Sequence, residues 1–537
     1  MKKKISIKSV LLKIIIPILI GVFIYEYNLR IGVEGLYLFD SSISLNMGWL
    51  IYNDFLPFVD FKSPLMPLSG LLTSLGFWFY GINYFSSVKI ASVLVLSAFL
   101  IIFSVIKRYL NLFNSYWSSA LIILSTVPIT GTLYYNHLSA LLFVIYIILI
   151  VDYVLQFRTF LKNNETIKST IIFLVIGFLL LNKLHIGILC LLLFLIIECF
   201  LMRKIDFRSK KIFLSIFIRI FPILFLFLAL LFWIDFSFLK IYDSLFKSTD
   251  ISSLNYSTYF FERLGFNDTN TIFSKSSISI GLNFLIAIGI VNYHFKFYKN
   301  NLKANLMLII IIGSLFVQLF SYLFSAEAPS IDLSFIMINL LIMYIYFNND
   351  IYFQKNSNSK NSFHISKIFI IPLFISCALF SLYYSNFGLR KSFLVDSGKF
   401  PMQKYIPKNF FNTDIKFLYN VKINHNQKIN FDYLNEVLIN LKSDKIFFGP
   451  GLELFYPAFK STQPNNWPLW LHKGLSYNSV NYSSMINSFR QQNYQIIVIN
   501  KLRYDGTYFI NNYIKKNYMK KNSNNPDIWI DIYTKKE

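Results

Sequence analysis

Long apolar runs separated by short polar clusters fill the first 385 residues. Runs near 10–28, 85–106, 115–131, 137–155, 170–184, 187–202, 212–238, 277–295, 305–324, 333–348 and 367–385 approach the ~20 residues a helix needs to cross a bilayer. About eleven spans are expected on this pattern. The run 64–81 is nearly as apolar, and basic clusters decide its treatment. Lys2, Lys3, Lys4 and Lys8 place the amino terminus in the cytoplasm, because Lys and Arg gather in cytoplasmic loops. If 64–81 lies along the outer interface, the clusters Lys107-Arg108, 158–168, 203–211, 296–303 and 355–367 all fall inside. If it crosses, all fall outside. It is therefore expected as an interfacial helix, with Pro64 and Pro67 in its first turn.

The outer segments are then 29–84, 132–136, 182–186, 239–276, 325–332 and everything after about 386. Residues 162–169 and 355–363 read as cytoplasmic connectors, rich in Asn, Ser and Lys. No small-residue cleavage site follows the first run, so it reads as a retained helix. The tail 386–537 changes character. KSDKIFFGPGLELFY reads as a strand entering a Gly-Pro-Gly turn, SMINSFRQQ as a helix and QIIVIN as a buried strand. TYFINNYIKKNYMKK then reads as an amphipathic helix and DIWIDIYT as a strand. That alternation predicts a small α/β domain with a mostly parallel sheet. The expected architecture is a multi-pass α-helical membrane domain over 1–385 and an extracytoplasmic α/β domain over 386–537. The membrane is the cell (inner or plasma) membrane.

Composition agrees. The 537 residues are 55% hydrophobic and 15% charged, with 58 Phe, against roughly 25% charged in soluble domains; mean hydropathy is +0.51. Much of the basic charge behind the net +24 falls in short segments between apolar runs, where it sets topology, and no nucleic-acid-binding motif accompanies it. Cys190, Cys199 and Cys377 sit in apolar runs and offer neither a disulfide framework nor metal spacing.

Candidate chemistry concentrates in 32–81. Between greasy segments this stretch carries Glu34, Asp40, Asp54, Asp60 and Lys62. Other outer turns add Tyr134-Tyr135-Asn136-His137, Asn182-Lys183-Leu184-His185, Glu327 and Asp332. Ionisable groups at membrane depth are costly and point to function, whereas polar loop residues at an interface are wet and need no function. Arg219, inside a span, is read as snorkelling toward the inner face, and Asp235 as a wet helix end. The spans otherwise look nearly free of central charge.

An ordered series runs through the first outer loop: Glu34-x-x-Tyr37, Gly48, Tyr52, Pro57-Phe58-Val59-Asp60-Phe61, Lys62-Ser63-Pro64-Leu65, Phe79-Tyr80-Gly81 and Lys89. It resembles the first outer loop of the GT-C glycosyltransferases, the group that includes protein O-mannosyltransferases and the lipid A aminoarabinose transferase. Asn182 to Gly187 resembles a Lys-containing turn of some bacterial members. The resemblance covers the first ~200 residues. Two departures stand out. Where many members place an Asp three or four positions before the Tyr, this chain has Glu34 and Val33. The nearest Asp is Asp40, beyond the Tyr, so both Glu34 and Asp40 are carried. Where many members have an acid at the end of the third span, this chain has Asn136-His137. The second acid is then dispensable, or His137 does part of its work, or Asp60 fills the role.

The resemblance implies a polyprenyl-phosphate-sugar donor and an extracytoplasmic glycan, lipid or protein acceptor. A loop carboxylate takes the acceptor proton in an inverting displacement. Lys62 and Lys183 meet the phosphate, assisted by His185 or His137, with Tyr37 and Asn136 also at the substrate. The 64–81 helix lines a groove for the isoprenoid. No metal ligand set and no cofactor are assigned, and a divalent cation is left open. The rivals are a lipid-linked glycan transporter or flippase, an O-antigen polymerase or ligase, and a non-enzymatic scaffold. A transporter calls for charges deep in the spans and an internal repeat.

The topology makes a direct prediction. Ser476→Cys should react with a membrane-impermeant thiol reagent in intact cells; labelling only after lysis overturns the orientation.

Overall fold

The computed structural model describes residues 14–36, 40–126, 131–132, 134–157, 163–202, 210–247, 288, 291, 301–324, 341–342, 411–471, 477, 479–501, 507–521 and 525–536. Helix α1 (Ile16–Val33) leads into the first loop, which contains α2 (Asp40–Tyr52), a two-residue strand β1 (Phe61–Lys62) and α3 (Leu68–Tyr80). Helices α4 (Tyr84–Ile106), α5 (Leu112–Thr126), α6 (Tyr135–Gln156), α7 (Asn163–Asn182), α8 (Leu184–Met202) and α9 (Lys210–Trp233) follow. Then come the short α10 (Phe238–Tyr242) and α11 (Leu302–Phe324).

Among the described residues, six helices are long and apolar enough to cross a membrane: α1, α4, α6, α7, α8 and, from Ile212, α9. The chain is a multi-pass membrane protein. The span expected at 115–131 is described as a helix only over Leu112–Thr126. Those expected near 277–295, 333–348 and 367–385 lie almost wholly outside the described residues. Helix α3 has 13 residues, about 20 Å at ~1.5 Å per residue, too short for a ~30 Å hydrocarbon core. Its N-cap is Pro67, so Pro64 sits in the preceding turn and not in the helix. The expected connector 162–169 is instead the first turns of α7, with Glu165 and Ser169 buried.

Helix α6 is the axis of the bundle, buried along nearly its whole length, while α9 turns Phe213, Phe217, Phe221, Phe225 and Phe232 outward. A helix apolar all round suits those two places, core or lipid. Helices α7 and α8 form a hairpin about Lys183: Phe173 meets Phe194 edge-on at 5.0 Å. A Cβ on Gly187 would come within 2.6 Å of the Leu180 backbone, so glycine is what lets the two helices close so near the turn. At Gly131, φ is +67°, and a Cβ would lie 2.2 Å from the Gly32 Cα.

Several polar side chains inside the bundle pair with one another. Asn28 donates to Ser92 Oγ at 2.8 Å and to the Gly131 carbonyl at 3.2 Å. Arg219 does not snorkel. It is 2% exposed, and its guanidinium donates to both Glu198 oxygens at 2.9 and 3.1 Å. Tyr153 and Ser169 donate to the same carboxylate at 2.9 and 2.8 Å. This knot ties α6, α7, α8 and α9. A second knot gathers Arg108, Tyr109, Gln156 and Lys168 around Asp152. The spans are therefore not free of charge. A partner for each acid was already available in a neighbouring segment, and hydrocarbon forces the pairing because an unpaired charge there is costly.

The carboxy-terminal part contains α12 (His425–Leu441), β2 (Ile446–Phe448), α13 (Phe455–Ala458), β3 (Trp467–Pro468), α14 (Tyr482–Gln492), β4 (Ile496–Asn500), α15 (Tyr508–Asn517), β5 (Tyr518–Lys521) and β6 (Ile530–Lys535). Asn424 and Gln427 form a reciprocal capping box at the start of α12. The four-stranded sheet runs β2-β4-β6-β5. Only β2–β4 is parallel; β4–β6 and β6–β5 are antiparallel, which corrects the expected mostly parallel sheet. The segment read as one helix through Lys521 breaks at Tyr518 into β5. The link from β5 to β6 is too short for a crossover, so the two strands form a hairpin.

Replacing Arg219 by Leu leaves Glu198 uncompensated and should cost about 3–5 kcal/mol. Replacing Glu198 by Met as well should recover most of that loss. Thermal unfolding of the detergent-solubilised single and double variants checks this; equal losses in both would mean the pair does not act as a unit.

Candidate active site

One end of the bundle collects the carboxy-terminal ends of α1, α7 and α9 and the amino-terminal ends of α4, α6 and α8. The candidate residues lie there, and the sequence explains how they are held. Lys183 is the single non-helical residue between α7 and α8. Its N–H still donates to the Leu179 carbonyl at 2.7 Å, and its own carbonyl accepts from Gly187 at 3.1 Å. The turn is therefore rigid and fixes where the side chain starts.

Lys183 is 6% exposed. Its Nζ donates to Asn136 Oδ1 at 2.7 Å and lies 5.8 Å from the Tyr135 ring centroid. Asn136 donates in turn to the Tyr134 hydroxyl at 2.7 Å. The neighbouring Asn182 donates to the Tyr135 carbonyl and to Ser139 Oγ, both at 2.7 Å. His137 is buried with its ring 5.4 Å from Tyr134, and its Nδ1 meets no partner among the described residues. His185, expected in the turn, lies inside α8. Burial pushes the Lys183 ammonium down to about 7. No carboxylate forms a salt bridge to it among the described residues; its hydrogen-bond partner is a neutral amide.

The first loop packs onto this turn. Phe58 and Met66 share an apolar cluster with Leu181, Leu184, Leu230 and Ile234. Ser41, at the start of α2, lies 3.1 Å from Thr132, Oγ to Oγ1. Asp54 and Phe58 both have positive φ, 64° and 66°. For an aromatic residue that is a strained conformation, costing of order 1–3 kcal/mol and found where surrounding structure over-determines the backbone. Lys62 is half-buried, and burial lowers its pKa while Asp243 opposes the shift.

The acids are placed differently. Asp60 accepts the Leu56 N–H at 2.7 Å and so closes the turn before β1. Glu34 caps α1 and pairs with Arg30 at 2.9 Å. Asp40 opens α2, and its side chain, like the whole of Tyr37, lies outside the described residues. Glu327 and Asp332 also lie outside them. Among the described residues, no group of three or more His, Cys, Asp or Glu gathers as a metal site.

The carboxy-terminal part grips the same loop. β1 pairs in parallel with β3, Phe61 opposite Trp467 and Lys62 opposite Pro468. The Lys62 carbonyl accepts from Leu469 at 2.8 Å and the Asp60 carbonyl from Asn466 at 2.6 Å. Asn46 donates to Gln463 Oε1 at 2.9 Å, and Trp49 donates to the Ser461 carbonyl at 2.7 Å. Near Glu34, Lys422 donates to the Val33 carbonyl at 2.8 Å. None of this grip was legible in the sequence. Asp152 and Glu198 carry a signal in the sequence itself: a lone carboxylate in an otherwise apolar run demands a cation nearby.

No family model and no curated protein matches the chain. Among solved structures, it is similar to ArnT from Cupriavidus metallidurans bound to undecaprenyl phosphate, at 9% identity and a TM-score of 0.48 over 97% of each chain. It is also similar to the archaeal oligosaccharyltransferase AglB from Archaeoglobus fulgidus, in complex with an inhibitory peptide and a dolichol-phosphate. There the identity is 12% and the TM-score 0.43, over 97% of this chain and 74% of that one. Likenesses this distant do not decide what the chain does.

Gln463→Leu leaves the buried Asn46 amide short of an acceptor, a loss of about 1–3 kcal/mol. The expected outcome is faster amide hydrogen exchange across 55–67 with unchanged exchange in α6. Unaltered exchange in the loop would show that the pair does not hold it.

Proposed function

We propose that the chain is a membrane glycosyltransferase that moves a sugar from a polyprenyl-phosphate carrier to an extracytoplasmic acceptor. The observation that carries this reading is Lys183: a buried ammonium whose described hydrogen-bond partner is the neutral Asn136 amide, at the bundle end where the strained loop lies. A buried cation without a counter-charge costs several kcal/mol; a phosphate supplies that charge. The ordered loop series from Glu34 to Lys89 supports the same reading.

In this mechanism Lys183 and Lys62 stabilise the negative charge that grows on the phosphate as its bond to the anomeric carbon breaks. A carboxylate takes the proton of the acceptor hydroxyl as the new bond forms on the opposite face, so the anomeric centre inverts. Asp60 is engaged by the Leu56 N–H and Glu34 by Arg30. We therefore assign the base to Asp40, whose neighbour Ser41 is tied to Thr132 beside the lysine cluster. His137 and His185 line the cluster, and Tyr37 stands three residues before Asp40 in sequence. The sheet-bearing tail lies outside the cytoplasm in this reading and keeps the loop over the donor.

One observation favours the transporter reading: Asp152, Glu198 and Arg219 are charges within the spans. Both knots are closed by their own partners, so they serve helix packing.

Turnover of a polyprenyl-phosphate hexose tests the assignment. Asp40→Asn should lose the most rate. Lys183→Met and Lys62→Ala should weaken donor binding about 10–100-fold, the loss of a charge-assisted hydrogen bond. If Asp40→Asn, Glu34→Gln and Lys62→Ala all keep the parental rate, the reading fails.

The lysine also fixes a pH dependence. Its ammonium is lowered from 10.5 to about 7, so above pH 7 the free protein must take up a proton to bind an anion. Donor affinity should fall up to tenfold per pH unit above about 7. A phosphodiester donor has no ionisation of its own in that range, which keeps the readout clean. The ligand-free protein runs the opposite way. The unfolded chain binds the extra proton between about 7 and 10.5, so stability rises with pH across that window. Lys183→Met should remove both trends.

A further inference from the structure

The sheet face turned toward α14 and α15 is not fully covered. Phe447, Ile497 and Ile499 pack under Met485, Phe489, Ile510 and Ile514, but beside them a cavity of about 550 Å3 opens between α15 and the β5–β6 hairpin. Ile499, Ile514, the buried Tyr518 and the half-buried Tyr533 line it, and Asn511, Lys515 and Lys520 bring donors to it. That volume is in the ~300–1,000 Å3 range of small-molecule sites.

The walls are fixed. Tyr518 donates its hydroxyl to the Tyr494 carbonyl at 2.7 Å, so its ring cannot swing out. Lys520 is held 2.9 Å from the buried Asp531 carboxylate, and that hydrogen bond raises the Lys520 pKa. Lys501 stands 3.4 Å from the other Asp531 oxygen. Asp531 is thus already balanced by two ammoniums. Lys515 forms no salt bridge among the described residues. Lys536 adds a cation close by, its ammonium on the Lys515 and Lys516 carbonyls at 3.2 and 3.0 Å.

We infer that this cavity binds an anionic saccharide. An apolar ligand would make no use of the Lys515 ammonium, which forms no salt bridge among the described residues, and a bare inorganic anion would make no use of the half-buried Tyr533 ring. A sugar ring bearing an acid group matches the whole set: its C–H face on Tyr533, its hydroxyls on the Asn511 amide and its acid on Lys515. The site is far along the chain from the lysine cluster at the membrane and does not depend on glycosyl transfer occurring there.

Calorimetric titration of the full chain in detergent with a tetragalacturonate tests it. The expected result is saturable one-to-one binding, weakened about tenfold or more by Lys515→Glu and by Tyr533→Ala. A neutral glucose tetrasaccharide should bind at least tenfold more weakly. Lys445→Glu, an exposed lysine on another edge of the sheet, should bind as the parent does. The inference is overturned by any of three results: no saturable binding, equal weakening by Lys445→Glu, or displacement by inorganic phosphate at the same concentration as the uronate. The first would mean no site, the second unspecific attraction to a basic protein, and the third a plain anion site.

Discussion

Hydrocarbon offers no water, so each polar group inside the bundle must find a partner or carry a penalty of several kcal/mol. That constraint organises the helices. Asn28 finds Ser92 and the Gly131 carbonyl, Asn182 finds Ser139, and Glu198 finds Arg219, Tyr153 and Ser169. Each contact joins helices that apolar packing alone would leave free to slide, because lipid tails are as apolar as the leucines they would replace. Against this background Lys183 stands apart. Its described hydrogen-bond partner is an amide, and burial lowers its affinity for the proton it carries.

The first loop is constrained from two directions. On one side Phe58 and Met66 seat it on the α7–α8 turn. On the other, β3 adds a strand to it and Asn466 and Leu469 take up its carbonyls. Positive φ at Asp54 and Phe58 persists only under such pressure. A lysine on a free loop would lose backbone entropy on meeting an anion; one whose backbone is already paired with β3 has less to lose. The tail therefore holds the first loop through backbone hydrogen bonds, while its own sheet presents a separate cavity more than thirty residues further along the chain.

Charge placement follows the same division. The two knots around Asp152 and Glu198 tie the end of the bundle opposite Lys183.

By itself the sequence determined the membrane class, an apolar helix within 64–81 and the hairpin about Lys183. These rest on local properties: run length against bilayer thickness, and a polar word between two apolar runs. Only the tertiary structure decided that Asn136 and Lys183 share a hydrogen bond, that Arg219 is an ion-pair partner, that the sheet is mixed and that the tail grips Lys62. Those are pairings across tens to hundreds of residues, such as Lys62 with Pro468. Periodicity says which side of an element is apolar; it does not say which distant neighbour will cover it, and geometry alone chooses that.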